Sequence, residues 1–139
     1  MLMKTLIFSL ALVLLLQGCG RSDEPGAQPQ VFDLNEAITL RTGDSGVLRG
    51  EDFSIRLLEV FDESRCPEGV MCLWAGEVKL KFAVEAGAIT DTLVTAFPSE
   101  GSRAISGGYT LTITDVTPYP KEGKTIKPKD YRARLIISR

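Results

Sequence analysis

From Glu77 to Ala86 the chain reads EVKLKFAVEA, and its apolar residues fall on every second position. Val78, Leu80, Phe82, Val84 and Ala86 share one face; Lys79, Lys81, Ala83 and Glu85 share the other. A period of two marks a half-buried strand. YTLTITDV repeats it, with Tyr109, Leu111 and Ile113 inward and threonines outward. YRARLIIS turns Tyr131, Ala133, Leu135 and Ile137 inward and Arg132 and Arg134 outward. FSIRLLEVF, Phe53 to Phe61, is apolar on both faces, as a central strand would be. AITLRTG and SGVLRG read as short strands flanking the turn cluster TGDSG, and AITDTLVTAF pairs with Glu77–Ala86 through a turn at Gly87. About seven strands separated by Gly, Pro and Asp turns predict an all-β fold. The expected form is a single antiparallel β-sandwich or barrel-like domain. Ser99–Gly108 and Thr117–Pro128 are expected as long loops, where function tends to sit.

The first residues follow a different pattern. Lys4 precedes an apolar run from Leu6 to Leu16, broken only by Ser9. Eleven residues suit the core of a signal peptide and fall short of the roughly 20 needed to span a bilayer. LQGC follows at once, and Leu16, Gly18 and Cys19 resemble the lipobox of bacterial lipoproteins; Gln17 departs from the small or β-branched residue usual there. The resemblance implies cleavage after Gly18 and lipidation of Cys19. The competing reading is an ordinary secretory signal with an incidental cysteine. One acyl chain holds a protein on a membrane only marginally, whereas two or more hold it stably, so a fully acylated Cys19 anchors without a spanning helix. Gly20, a non-Asp residue after the cysteine, resembles the outer-membrane sorting signal of Gram-negative lipoproteins.

The expected organisation is therefore a signal peptide at 1–18, the lipidated Cys19 with a flexible tether over 19–34, and the sandwich over 35–139. Gly20–Gln30 is polar, with two prolines and two glycines, and has almost nothing to bury. Extended, it reaches about 35 Å. With Lys4 removed, 15 basic residues stand against 18 acidic ones, a net charge of −3. That balance does not ask for nucleic acid, which a basic face normally meets. The last stretch is locally basic, with Lys121, Lys124, Lys127, Lys129, Arg132, Arg134 and Arg139 against Glu122 and Asp130. A solvated face and an anionic-ligand patch both fit it.

The chemistry concentrates in DESRCPEGVMCLWAGE, Asp62 to Glu77, which holds two of the three cysteines and the single tryptophan. An exported compartment is oxidising, and with Cys19 lipidated, Cys66 and Cys72 are an even pair, which most simply form a disulfide. Pro67 and Gly69 suit the bend that closes it. A redox pair would show C-x-x-C at a helix start, and here the spacing is C-x5-C between strands. Cys66, Met71 and Cys72 could bind Cu(I) only as reduced thiols. Asp62, Glu63, Glu68 and Glu77 offer oxygens for calcium without the regular spacing of an EF-hand loop. Arg65 is expected to pair with Asp62 or Glu77. Trp74 beside a disulfide reads as core packed on the bridge; exposed, the same ring would be a binding anchor.

Ser64, Arg65, Cys66, Pro67, Cys72, Trp74, Ala75 and Gly76 match a motif of uncharacterised bacterial secreted proteins and lipoproteins, S-R-C-P, a second Cys, then W-A-G. Those sequences often carry Asp directly before the Ser, where Glu63 stands here. The likeness extends over most of 36–138 and implies a shared small β-domain without an established activity.

The chain has no histidine, which removes many catalytic and metal-site designs. A Ser-Lys hydrolase remains conceivable with Ser64, Ser99, Ser102 or Ser106, yet none sits in G-x-S-x-G or S-x-x-K. The expectation is a non-catalytic, lipid-anchored accessory or binding domain of the cell envelope, without metal or cofactor. Its outer-membrane placement follows if the cell is Gram-negative. Arg65, Pro67, Glu68, Met71 and Trp74 form its candidate binding loop, and its partners would be the membrane and an envelope protein or small ligand. An inhibitor or ligand-capture protein using the closed loop is the alternative, since a pre-closed loop loses less entropy on docking. A structural envelope protein without a specific ligand is a third.

Overall fold

The computed structural model describes residues 28–139. The expected signal peptide, Cys19 and the expected tether up to residue 27 lie outside the described residues. Among the described residues nine strands form: β1 Gln30–Phe32, β2 Ala37–Arg41, β3 Ser45–Leu48, β4 Phe53–Phe61, β5 Val78–Ala86, β6 Ile89–Phe97, β7 Ser102–Ile105, β8 Tyr109–Thr117 and β9 Arg132–Ser138. They make two sheets, one ordered β1-β3-β4-β5-β6 and the other β2-β9-β8-β7. The arrangement is a β-sandwich. Its single core draws on Phe32, Ile55 and Phe82 from the first sheet and Leu40, Leu111 and Leu135 from the second.

The alternating segments form strands as expected, and their inward residues are buried. Two details differ. β1 lies inside the segment expected to be tether. Three residues are too few to show a period, but Phe32 is wholly buried and the strand pairs parallel with β3. β7 lies inside the expected loop Ser99–Gly108. It is a four-residue edge strand on β8, exposed except at Ile105, and too short to show an alternation. β2 and β3, neighbours in sequence, belong to opposite sheets.

The two-faced look of β4 has a cause other than two-sided burial. The register against β5 slips between Leu57 and Glu59, leaving Leu58 as the extra residue of a bulge. A strict period after Leu57 would carry Glu59 into the core. The bulge keeps Glu59 outside, opposite Lys81, and returns Val60 to the interior. β8 repeats the device. Its register on β9 slips between Ile113 and Asp115, so that Asp115 faces Arg134 outside and Val116 is buried.

The sandwich has unlike ends. The Phe61–Val78 and Thr117–Arg132 connections meet at one end, with the β2–β3 and β6–β7 connections. The opposite end has the short turns before β2, β4 and β6 and the last residue of β9.

Candidate functional site

The long β4–β5 connection folds back on itself. The Ser64 amide donates to the Glu77 carbonyl at 2.8 Å and the Cys66 amide to the Ala75 carbonyl at 2.7 Å. The Ser64 hydroxyl donates to the Glu77 carbonyl at 2.8 Å and accepts from the Glu77 amide at 3.1 Å. Gly76 makes this close approach possible. Its φ is +68°, and a Cβ there would lie 1.8 Å from the Ser64 carbonyl oxygen. Beyond this neck Cys66 and Cys72 form a disulfide, with Cα atoms 5.9 Å apart. The Val70 amide donates to the Pro67 carbonyl at 3.2 Å, closing the bend inside the ring.

Arg65 fixes the neck to the sandwich. It is 4% exposed. Its Nε and Nη2 donate to the two carboxylate oxygens of Glu63 at 2.8 and 2.5 Å. Nη1 donates to the Val116 carbonyl at 2.6 Å and Nη2 to the Pro118 carbonyl at 3.1 Å. The guanidinium also lies over the Tyr119 ring, 4.9 Å from its centre. Each nitrogen of the fork is engaged, as burial of a charge demands. The Tyr131 hydroxyl donates to Glu63 at 3.1 Å. Burial, and then the neighbouring Glu63 charge, push the Tyr131 phenol up to about 12.

Arg65 was expected in the binding loop, paired with Asp62 or Glu77. It is instead a buried tie paired with Glu63, and it is not open to a ligand. Glu63 was read only as a candidate calcium oxygen and Tyr131 only as an inward strand residue, because the network joins positions up to 68 residues apart. Trp74 corrects the expectation of a core residue, being 77% exposed. A seven-residue ring encloses no interior, and Val60, Val116 and Tyr131 already fill that end of the core. Met71 is fully exposed and Leu73 is 92% exposed. Leu73 was missed, although Val70, Met71, Leu73 and Trp74 in so short a loop already exceed what the loop could bury.

Pro67 and Glu68 meet the second long loop. The Glu68 amide donates to the Pro120 carbonyl at 3.0 Å, and Lys121 pairs with the Glu68 carboxylate at 3.5 Å. Between the loops runs an open groove of about 620 Å³, lined by Pro67, Val70, Lys121 and Lys124 among others.

The four acids of the calcium reading have separate partners. Asp62 accepts from Lys79 at 3.0 Å, Glu63 holds Arg65, Glu68 faces Lys121, and Glu77 accepts from Ser99 at 2.5 Å. Hydrogen bonding to Asp62 and then its charge hold the Lys79 ammonium above its ordinary pKa. Among the described residues no cluster of three or more Cys, Asp or Glu is placed to hold a metal. Ser102 bonds Thr112 and Ser106 donates to Asp91. The disulfide takes the two sulfurs that a copper site would need. The arrangement is thus a stapled loop with a pinned neck and an apolar tip in solvent. No family model, curated protein or solved structure matches the chain.

Proposed function

We propose that this chain is a lipid-anchored, non-catalytic binding domain of the bacterial cell envelope, and that the Cys66–Cys72 loop is its docking element. One observation carries the reading: Met71, Leu73 and Trp74 project from a loop whose neck and base are fixed. Large apolar side chains left in water on a rigid support favour contact with another surface. The staple reduces the ordering lost on contact. The tip protrudes rather than lining a cavity, which favours docking over ligand capture. The anchor rests on the lipobox likeness at Leu16–Cys19.

Two experiments test the two halves. Cys19→Ser is expected to release the protein from membranes or leave it unprocessed; unchanged detergent partitioning would sink the anchor. A photo-crosslinking residue at position 71 is expected to give adducts in intact envelopes, while the same residue at position 88, on the opposite end, gives none. Equal labelling at both positions would reject the loop as docking element.

A further inference from the structure

We propose that the stapled-loop end of the sandwich seats on an anionic bilayer. Met71, Leu73 and Trp74 enter the headgroup region, and the lysines of the Thr117–Arg132 connection contact lipid phosphates. The proposal deepens the reading above and rests on its lipid anchor for which bilayer is meant.

Three independent observations converge on it. The first is the composition of the tip. Gly69 to Gly76 reads GVMCLWAG, without a charged residue, and both its cysteine and Cys66 are in the disulfide. Tryptophan favours the membrane–water boundary, where its ring is apolar and its N–H stays wet. A loop whose backbone groups are not all paired can enter that boundary but not the hydrocarbon.

The second is charge. Lys121, Lys124, Lys127, Lys129 and Arg132 are exposed on the Thr117–Arg132 side of that end, against Glu122 and Asp130 there and Asp62, Glu68 and Glu77 on the β4–β5 connection, with Lys121 already paired with Glu68. This basic rim on one side of the uncharged apolar tip complements an anionic lipid surface, each unpaired cation near it contributing about 1 kcal/mol.

The third is chain direction. β1 runs parallel to β3, and β3 antiparallel to β4, with Gln30 level with Gly46 and Gly46 level with Ile55. β4 leads toward the stapled loop, so β1 runs away from it and Gln30 is the residue of β1 nearest that end. From Ile55 to Phe61 the strand advances about 20 Å. The ten residues from Gly20 to Pro29 reach about 35 Å when extended, more than the distance from that level to the base of the loop, so a lipid on Cys19 can lie on the loop side of the sandwich. A protein pocket would explain the apolar tip, but not the basic rim and the direction of entry together.

Trp74 is the single tryptophan, so its fluorescence reports on the tip alone. The chain from residue 19, carrying Cys19→Ser, contains the entire core cluster and is the form to use. It is mixed with vesicles of phosphatidylethanolamine and phosphatidylglycerol, and separately with phosphatidylcholine vesicles. The expected result is a shift of emission to shorter wavelength and loss of quenching by iodide, stronger on the anionic vesicles. Met71→Ser with Leu73→Ser keeps the probe and is expected to weaken partitioning roughly tenfold or more. Lys124→Glu with Lys127→Glu is expected to remove the preference for anionic lipid. Emission and iodide access unchanged on both vesicles would overturn the proposal. So would shielding that arises only in native envelopes and disappears after their proteins are digested, which would assign the tip to a protein partner. Membrane release of the full chain by Cys19→Ser reads the anchor separately, so either idea can fail while the other stands.

Discussion

Arg65 links the loop to β8 and the connection after it through one planar fork, so its neighbours depend on it more than its charge alone suggests. Arg65→Ala leaves the Glu63 carboxylate without its cation and the Val116 and Pro118 carbonyls without donors. The expected loss is about 3 kcal/mol, read from urea denaturation. Arg65→Lys is expected to recover only part of it, since an ammonium cannot span the same four acceptors. Gly76→Ala meets the Ser64 carbonyl and a positive φ together, and is expected to open the neck. Tyr131 gives a pH signature. Its phenol is raised to about 12 when folded, against about 10 unfolded. Below pH 10 both states are protonated and the group adds no pH dependence. Between about 10 and 12 the folded state binds more protons, so stability falls as pH rises through that window. Tyr131→Phe is expected to flatten that part of the curve. An ultraviolet tyrosinate titration in which all three tyrosines ionise near pH 10 in the folded protein would contradict the assignment.

Among the elements, the stapled loop and the bulged strands form one unit. The bulges at Leu58 and Thr114 bring Val60 and Val116 to the interior just below the loop, and Val116 offers Arg65 its carbonyl. The loop therefore stands on a surface that two sheets build together. Reducing the Cys66–Cys72 bridge relaxes only the ring beyond the neck. For so short a ring the chain-entropy estimate is about 2 kcal/mol. Reduction, or Cys66→Ser with Cys72→Ser, is expected to lower the denaturation midpoint by that amount while the sheet signal in circular dichroism persists. Collapse of the fold on reduction would mean that the bridge, rather than Arg65, holds the neck.

Over the whole molecule, one end carries the long connections and the other the short turns, and the core between them is complete without the loop tip. Changing the tip should therefore affect association and leave folding alone. Met71→Ser, Leu73→Ser and Trp74→Ser together are expected to shift unfolding free energy by no more than about 0.5 kcal/mol, the usual range for exposed positions. The same variant is expected to be less prone to self-association, measured by light scattering against concentration. A large loss of stability would show that the tip packs against the sandwich after all.

Fold class was legible because period two is a local property. Each of Val78–Ala86, Tyr109–Ile113 and Tyr131–Ile137 states its own buried face, and each kept it. The disulfide was legible from count and compartment. β1 and β7 were not, since short edge strands gain their pairing from a neighbour and carry little pattern of their own. The roles of Arg65 and Trp74 were out of reach for a related reason. Whether a guanidinium is buried depends on carbonyls and a carboxylate arriving from other strands, and whether a ring is core depends on the volume left beneath it. Sequence by itself determined the alternation, the turns and the composition of the Cys66–Cys72 ring. Only the tertiary structure decided which end of the sandwich the ring caps and which of its side chains face water, because burial is set by contacts between segments distant along the chain.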